Sequence, residues 1–111
     1  MLGVQQAEYL GGYKIRLKFN NGLTGTANLE ETLLNDRRAI FVKLKNEHIF
    51  RDFKLAHSTI VWFDELDLAS EYLFYLAFME DDEYQELFKQ WGYIASKPSR
   101  EEVVTTVPEW P

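Results

Sequence analysis

The chain has 111 residues, a length typical of a single domain. Its apolar fraction of 46%, with eight Phe, six Tyr and three Trp, can supply one hydrophobic core, and the absence of cysteine excludes disulfides and thiolate metal sites. The net charge of −6 argues against general affinity for nucleic acid, which requires several phosphates to be neutralised.

Charge is unevenly distributed between the two halves of the chain. Residues 1–60 carry nine Lys/Arg and six Asp/Glu, whereas residues 61–111 carry three and twelve. The halves could attract each other, or one could face a charged partner, or the charges could be ordinary solvated surface. The longest apolar stretch, Leu73 to Met79, is far shorter than the ~20 residues of a membrane span, and no targeting segment is evident. We therefore expect a soluble, cytoplasmic protein.

The first 29 residues predict a three-stranded β-meander. Strands are expected at Val4–Leu10, Tyr13–Asn20 and Leu23–Leu29, because apolar and polar residues alternate with a period of two. Gly11-Gly12 suits a tight hairpin, and Asn21-Gly22 predicts a two-residue type I′ turn with positive φ at the glycine. The inward residues of the second and third strands are expected to be Tyr13, Ile15, Leu17, Phe19, Leu23, Gly25, Ala27 and Leu29.

The middle of the chain predicts a helix followed by a second hairpin. Asp36 is a suitable N-cap for a helix over Arg37–Lys45, and Asn46 can cap a short turn that runs through Phe50 and Phe53. Strands are then expected at Phe53–His57 and Thr59–Phe63, which are rich in β-branched and aromatic residues. Asp64-Glu65 should break the second strand, with a few extended residues at Leu66–Leu68.

Two helical segments follow, Ser70–Met79 and Asp82–Trp91, which could be separate helices or one long helix. Gly92 is placed to end the second segment as a C′ glycine. The fold class is therefore α+β, a small, mostly antiparallel sheet with helices on one side. We expect residues 1–79 to form the core, and residues 80–111 to form a C-terminal helical extension and tail of the same domain.

With this order of elements, the chain resembles a bacterial family known as domain of unknown function 2442, over about the first eighty residues. The resemblance lies in Glu8–Tyr13, in Asn21-Gly22 with Gly25, in Phe41 with Leu44, in Ser58–Trp62 and in Leu66–Leu73. Family members typically have Gly-Thr-Ile-x-Trp, a Pro-Asn-Gly loop, and then Asp-Leu-Ala-Pro-Glu. Here Phe63-Asp64-Glu65 replaces that loop and Ser70 replaces the proline.

The resemblance implies a small α+β fold with no established activity. Some members of the family carry a helix-turn-helix segment, and others look like small accessory proteins encoded beside candidate toxins. Residues 80–111 contain no helix-turn-helix pattern, so the resemblance does not imply DNA binding by that route.

No catalytic, cofactor or metal constellation is recognisable, so we expect a protein that is not an enzyme. His48 and Asp52 have metal-ligand spacing on a helix but lack a third ligand, and His57 is a turn residue. The glycines lie in hairpins and lack the strand-to-helix context of a phosphate loop. Two acidic clusters are better explained as solvated or helix-start residues: Asp64, Glu65, Asp67 and Glu71, and the run from Glu80 to Glu83.

Two features are candidates for binding a partner. Lys14, Arg16 and Lys18 form a cationic row on one strand face, which could be a solvent face or could dock an acidic segment or a phosphate backbone. An apolar stripe on an acidic helix could extend the core, meet a second subunit or dock a partner. Its residues are Tyr84, Leu87, Phe88 and Trp91, with Trp110 in the tail.

From these observations we expect a protein-interaction or regulatory accessory module, antitoxin-like by resemblance, with a protein partner or a homodimer. The alternative is a nucleic-acid-contacting transcriptional regulator that uses the cationic row. We expect no cofactor, no membrane and no small-molecule substrate.

Overall fold

The structure, a computed structural model, describes residues 1–94. In this part of the chain, two three-stranded antiparallel sheets are combined with five α-helices, which confirms the α+β class. No helix among these residues is long and apolar enough to cross a membrane. The elements are β1 (Val4–Gly11), β2 (Lys14–Phe19), β3 (Thr24–Asn28), α1 (Glu30–Asn35), α2 (Ala39–Leu44), α3 (Glu47–Phe50), β4 (Lys54–Ala56), β5 (Thr59–Trp62), β6 (Leu66–Asp67), α4 (Ser70–Phe78) and α5 (Gln85–Trp91).

The first sheet is the predicted meander, with β2 between β1 and β3. Along β2 the side chains alternate strictly between buried and exposed, and Ile15, Leu17 and Phe19 are completely buried. The inner face of β3 also follows the prediction, since Ala27 and Leu29 are buried. The period-two pattern therefore assigned the two faces of β2 correctly, while Tyr13, Leu23 and Gly25, also predicted to face inward, are half-buried.

The turn between β1 and β2 lies one residue later than predicted. Gly11 pairs with Lys14, so the two central residues are Gly12 and Tyr13, with φ of 60° and 63°. Positive φ at both central positions is the signature of a type I′ turn. The shift arises because the β1 register is interrupted between Tyr9 and Gly11.

The turn between β2 and β3 corrects a second prediction. Gly22 does have positive φ (87°), as predicted, but the loop has three residues, Asn20 to Gly22, rather than two. The amide of Gly22 donates to the carbonyl of Phe19 (3.0 Å), and the amide of Phe19 donates to the carbonyl of Leu23 (2.8 Å). This is a turn closed by a left-handed glycine, the usual geometry of a three-residue hairpin loop.

The segment between the sheets contains three short helices, of which α1 was not predicted. The helix predicted over Arg37–Lys45 is shorter than expected and spans Ala39–Leu44, and its N-cap is Arg38 and not Asp36. Instead, Oδ1 of Asp36 accepts from the amide of Arg38 (3.0 Å), in a turn that precedes the helix. Asn46 does cap α3 as predicted, with Oδ1 accepting from the amide of His48 (3.0 Å), but α3 ends at Phe50.

The second sheet has the order β4-β5-β6, and β5 is buried along its whole length. The predicted strands on either side of Ser58 are both present, and a hydrogen bond from the amide of Val4 to the carbonyl of Ser58 (2.8 Å) connects the two sheets. Both hairpins of this sheet turn through non-glycine residues with positive φ: His57 and Ser58 in one, Phe63 and Asp64 in the other.

The C-terminal segments form two helices, which decides between the alternatives left open by the sequence. α4 ends at Phe78, and a 3₁₀ turn at Asp82–Tyr84 leads into α5. Gly92 ends α5 in the left-handed conformation, as predicted. Ser70 does not cap α4; its Oγ donates to the carbonyl of Ser58 (2.9 Å) and so ties the start of α4 to the β4–β5 turn.

α4 lies against the inner face of β3 at a position where β3 has no side chain. A Cβ atom on Gly25 would lie 2.9 Å from Cζ of Phe78 and 3.1 Å from Cβ of Ala77. Glycine therefore permits the close approach of helix and strand. This packing covers β3 on the inner side of the first sheet, whereas Lys14, Arg16 and Lys18 on the outer side are exposed.

Candidate interaction surface

The cationic row consists of Lys14, Arg16 and Lys18, and all three side chains are exposed on the outer face of the first sheet. They alternate along β2 with the buried Ile15 and Leu17. Because β2 is hydrogen-bonded to a strand on each side, its backbone is held at both edges. The row is therefore presented from the most constrained strand of the sheet, with about 7 Å between successive side chains.

One member of the row is paired with an acid. Nη1 of Arg16 lies 2.9 Å from Oε1 of Glu8, its cross-strand neighbour on β1. Both side chains are more than half exposed (54% and 65%), so water screens this ion pair and a stronger anion could replace Glu8. No salt bridge to Lys14 or Lys18 occurs among residues 1–94.

The residues that flank the row are uncharged apart from Glu8. Gln6 lies across from Lys18 on β1, while on β3 Thr24, Thr26 and Asn28 are opposite Lys18, Arg16 and Lys14. A shallow depression on this face is lined by Gln6, Ala7, Glu8, Arg16, Lys18 and Thr24. Cations surrounded by hydrogen-bonding amides and hydroxyls can bind an extended anionic chain.

The predicted apolar stripe of α5 lies against α4 within the same chain. Phe88 is completely buried, so it is not accessible to a partner in this conformation, while Tyr84, Leu87 and Trp91 are half-buried. The ring of Phe74 in α4 contacts those of Tyr84, Phe88 and Trp91, with centroids 5.3, 6.2 and 6.1 Å away. The stripe thus extends the core, and Trp110 lies outside the described residues.

The acidic cluster after β5 lies at the surface, where Asp64, Glu65 and Asp67 line a depression together with His57. Asp64, Glu65 and Asp67 are exposed and Glu71 is half-buried. None of them caps α4, whose N-cap Ala69 has no side-chain hydrogen bond. Within residues 1–94, no group of three or more His, Asp or Glu side chains is placed to hold a metal ion.

The two histidines are both exposed and lie on different elements. His57 occupies the β4–β5 turn with φ of 54°, as expected of a turn residue. His48 is exposed in the first turn of α3, where its amide is bound by the Asn46 cap. Neither imidazole takes part in a hydrogen bond among the described residues.

A tyrosine cluster beside α1 was not anticipated from the sequence. Tyr72 and Tyr75 of α4 contact Tyr93, and the rings of Tyr75 and Tyr93 are stacked, 5.2 Å apart. The hydroxyl of Tyr72 is hydrogen-bonded to Oγ1 of Thr32 (2.7 Å).

One signal in the sequence could have revealed α1. Asn28 stands two residues before Glu30-Glu31, a pattern typical of a helix start, and its Oδ1 accepts a hydrogen bond from the amide of Glu30 (3.0 Å).

Comparison with known proteins gives a family and a fold. A family described as "Protein of unknown function (DUF2442)" matches residues 4–78. No curated protein matches the chain. A crystal structure described as that of a "putative DNA binding protein" from Nitrosomonas europaea is similar, with a TM-score of 0.64 and 13% sequence identity. The match covers 86% of this chain but only 63% of that one, and at this identity it shows a shared fold.

Proposed function

This chain belongs to the DUF2442 family, and we propose that it is a non-enzymatic protein-interaction module that docks an acidic segment of a protein partner on its cationic row. An antitoxin-like or other regulatory accessory role would use such a surface. The observation that carries the proposal is the exposure of Lys14, Arg16 and Lys18 in line on the central strand of the sheet.

The geometry suits an extended acidic peptide. Successive cations about 7 Å apart match the spacing of every second side chain in an extended chain. Between them, the hydroxyls of Thr24 and Thr26 and the amides of Gln6 and Asn28 can bond to the backbone of the same peptide. Binding of this kind depends on charge, so it should weaken as salt rises.

A nucleic-acid-contacting regulator is the second candidate, because the similar crystal structure is described as that of a putative DNA-binding protein. Three cations would neutralise about three phosphates, which predicts a salt slope of only about −3 and weak binding at physiological salt. The net charge of −6 further opposes the approach of a duplex. We therefore expect no sub-micromolar binding of duplex DNA at physiological salt.

The test compares two variants that lose the same charge. One replaces the row (K14Q/R16Q/K18Q), and the control replaces one exposed arginine and two exposed lysines elsewhere (R37Q/K45Q/K54Q). Each full-length protein is titrated by fluorescence anisotropy with a labelled glutamate-rich peptide and with a labelled DNA duplex. Affinity capture from the native cells then identifies the physiological partner.

We expect the peptide to bind the wild type and the control variant alike, and to bind the row variant at least about tenfold more weakly, as loss of several charge contacts implies. Likewise, the wild type and the control variant should capture a stoichiometric acidic protein, and the row variant should capture less of it. Equal binding by all three proteins would contradict the proposal. Sub-micromolar duplex binding that only the row variant loses would establish the nucleic-acid alternative instead.

A further inference from the structure

The outer edge of β3 has backbone groups without partners in the described structure. Phe19 pairs with Leu23 through a backbone hydrogen bond, and Tyr13 pairs with Leu29 in the same way. In an antiparallel ladder, the backbone N–H and C=O groups of one residue point toward the neighbouring strand, and those of the next residue point away from it. The amides and carbonyls that face away from β2 therefore belong to Thr24, Thr26 and Asn28.

No backbone hydrogen bond within residues 1–94 reaches these outward groups. All three residues are exposed. Natural sheets protect such edges with charged residues, prolines or bulges, because an open edge pairs readily with another strand. The sequence of β3, Thr-Gly-Thr-Ala-Asn, has no charge and no proline, and its register with β2 is unbroken. This edge is therefore suited to pairing.

We propose that β3 pairs antiparallel with β3 of a second copy of this chain, on a two-fold axis at Thr26. Thr26 would then face its own copy, and Thr24 would face Asn28 of the other subunit, with reciprocal backbone hydrogen bonds at each pair. These opposed side chains are all short and uncharged, so the edge is complementary to itself. The two three-stranded sheets would join into one continuous sheet.

The charges of the chain permit this arrangement. The two cationic rows would lie on β2 strands separated by three strand spacings, about 14 Å. That distance exceeds the Debye length of about 8 Å at physiological ionic strength, so repulsion between the rows is largely screened.

The test uses the full chain and places a charge at the centre of the edge. Thr26→Lys puts two lysines against each other on the two-fold axis, and like charges directly opposite disfavour strand pairing. Gln6→Lys is the matched control, since Gln6 is exposed on the same outer face but on β1. Sedimentation equilibrium gives the dimer dissociation constant, and far-ultraviolet circular dichroism checks that each variant is folded.

We expect the wild type and Gln6→Lys to dimerise alike, and Thr26→Lys to raise the dissociation constant at least tenfold. Amide exchange of Thr24 and Thr26 should slow as protein concentration rises. A wild type that stays monomeric at hundreds of micromolar, or a Thr26→Lys variant that dimerises normally, would overturn the proposal. Protection of these amides at every concentration would also overturn it, because another segment of the same chain would then cover the edge.

This outcome can be separated from that of the proposed function. The row variant K14Q/R16Q/K18Q keeps β3 intact and should dimerise at least as well as the wild type. Conversely, the wild-type protein is monomeric at concentrations well below its dimer dissociation constant, where its cationic row is unchanged and should still bind the acidic peptide. Either hypothesis can therefore fail while the other stands.

Discussion

The indole Nε1 of Trp62 donates a hydrogen bond of 2.7 Å to the backbone carbonyl of Phe50, across the contact between β5 and α3. Trp62 is 1% exposed, and its ring contacts those of Phe50 and Phe53, with centroids 5.5 and 6.2 Å away. The hydrogen bond fixes the position of a short helix that has only one buried residue of its own. The β-branched and aromatic composition of β5 suits a buried strand, and all four of its residues are buried.

Two substitutions separate the hydrogen bond of Trp62 from its packing. Trp62→Ala should lower the free energy of unfolding by about 3–5 kcal/mol, because a large buried ring is lost. Trp62→Phe keeps an aromatic ring but leaves the Phe50 carbonyl without its donor, and so should cost about 1–3 kcal/mol plus a packing loss. Urea denaturation measures both values. A Trp62→Phe protein as stable as the wild type would show that the hydrogen bond contributes nothing to stability.

Gly25 should not tolerate even a methyl group. A Cβ at this position would meet Cζ of Phe78 at 2.9 Å and Cβ of Ala77 at 3.1 Å, so Gly25→Ala should destabilise the fold by about 1–3 kcal/mol through overpacking. Thr24→Ala is the neighbouring control, since that side chain is exposed and its change should be small. The melting temperatures of the two variants and the wild type measure both effects. A Gly25→Ala protein that melts with the control would mean that α4 can move away from β3 without loss.

The faces of the first sheet could be predicted because β2 has a strict period of two, which a strand converts directly into an inside and an outside. The cationic row follows from the same pattern. The open edge of β3 could not be predicted, because edge status depends on the order of strands in the sheet. Only the structure shows that no strand among the described residues lies beyond β3.

The β2–β3 loop and α1 differ from the predicted local structure for different physical reasons. The β2–β3 loop gains a third residue because the amide of Asn20 donates to the carbonyl of Gly3 (2.8 Å), and its side chain donates to the carbonyl of Met1 (2.6 Å). No pattern of neighbouring residues in the sequence predicts these contacts. α1 was missed because its only apolar residues are the adjacent Leu33 and Leu34, of which Leu33 alone is buried, and two adjacent positions give no helical period.

The β5–β6 turn should be improved by a sequence that suits its backbone. Phe63 and Asp64 have φ of 60° and 56°, a conformation that costs a non-glycine residue about 1–2 kcal/mol. The double substitution F63N/D64G supplies the pair preferred in type I′ turns. It also removes the contact between Phe63 and Nζ of Lys43, 5.7 Å from the ring centroid, which is worth about 0.5–1 kcal/mol at an exposed site.

We therefore expect a net stabilisation of F63N/D64G, seen as a rise of a few degrees in the melting temperature. Lys43→Ala is the control, because it removes the same contact while keeping the strained backbone, and should lower stability slightly. A lower melting temperature for the double variant would show that the exposed Phe63 ring stabilises the turn more than its backbone strain opposes it.

Stability should fall at alkaline pH, in part through Tyr93. Burial raises the pKa of its phenol above the ordinary value, and the Glu71 carboxylate and Tyr72 raise it further. A group whose pKa is raised by folding contributes stability that is fully present below the unfolded pKa, about 10, and is lost as pH rises through the folded value. Tyr93→Phe keeps the ring stacked on Tyr75 but cannot ionise. Its free energy of unfolding should therefore decline less than that of the wild type above pH ~10, while the two proteins behave alike near neutrality.

Glu71→Gln should show a smaller effect in the same direction, because burial is the main cause of the raised pKa of Tyr93. Urea denaturation at a series of pH values up to ~11 measures the three curves, and superimposable alkaline limbs for the wild type and Tyr93→Phe would show that Tyr93 ionises as easily in the folded protein as in the unfolded chain.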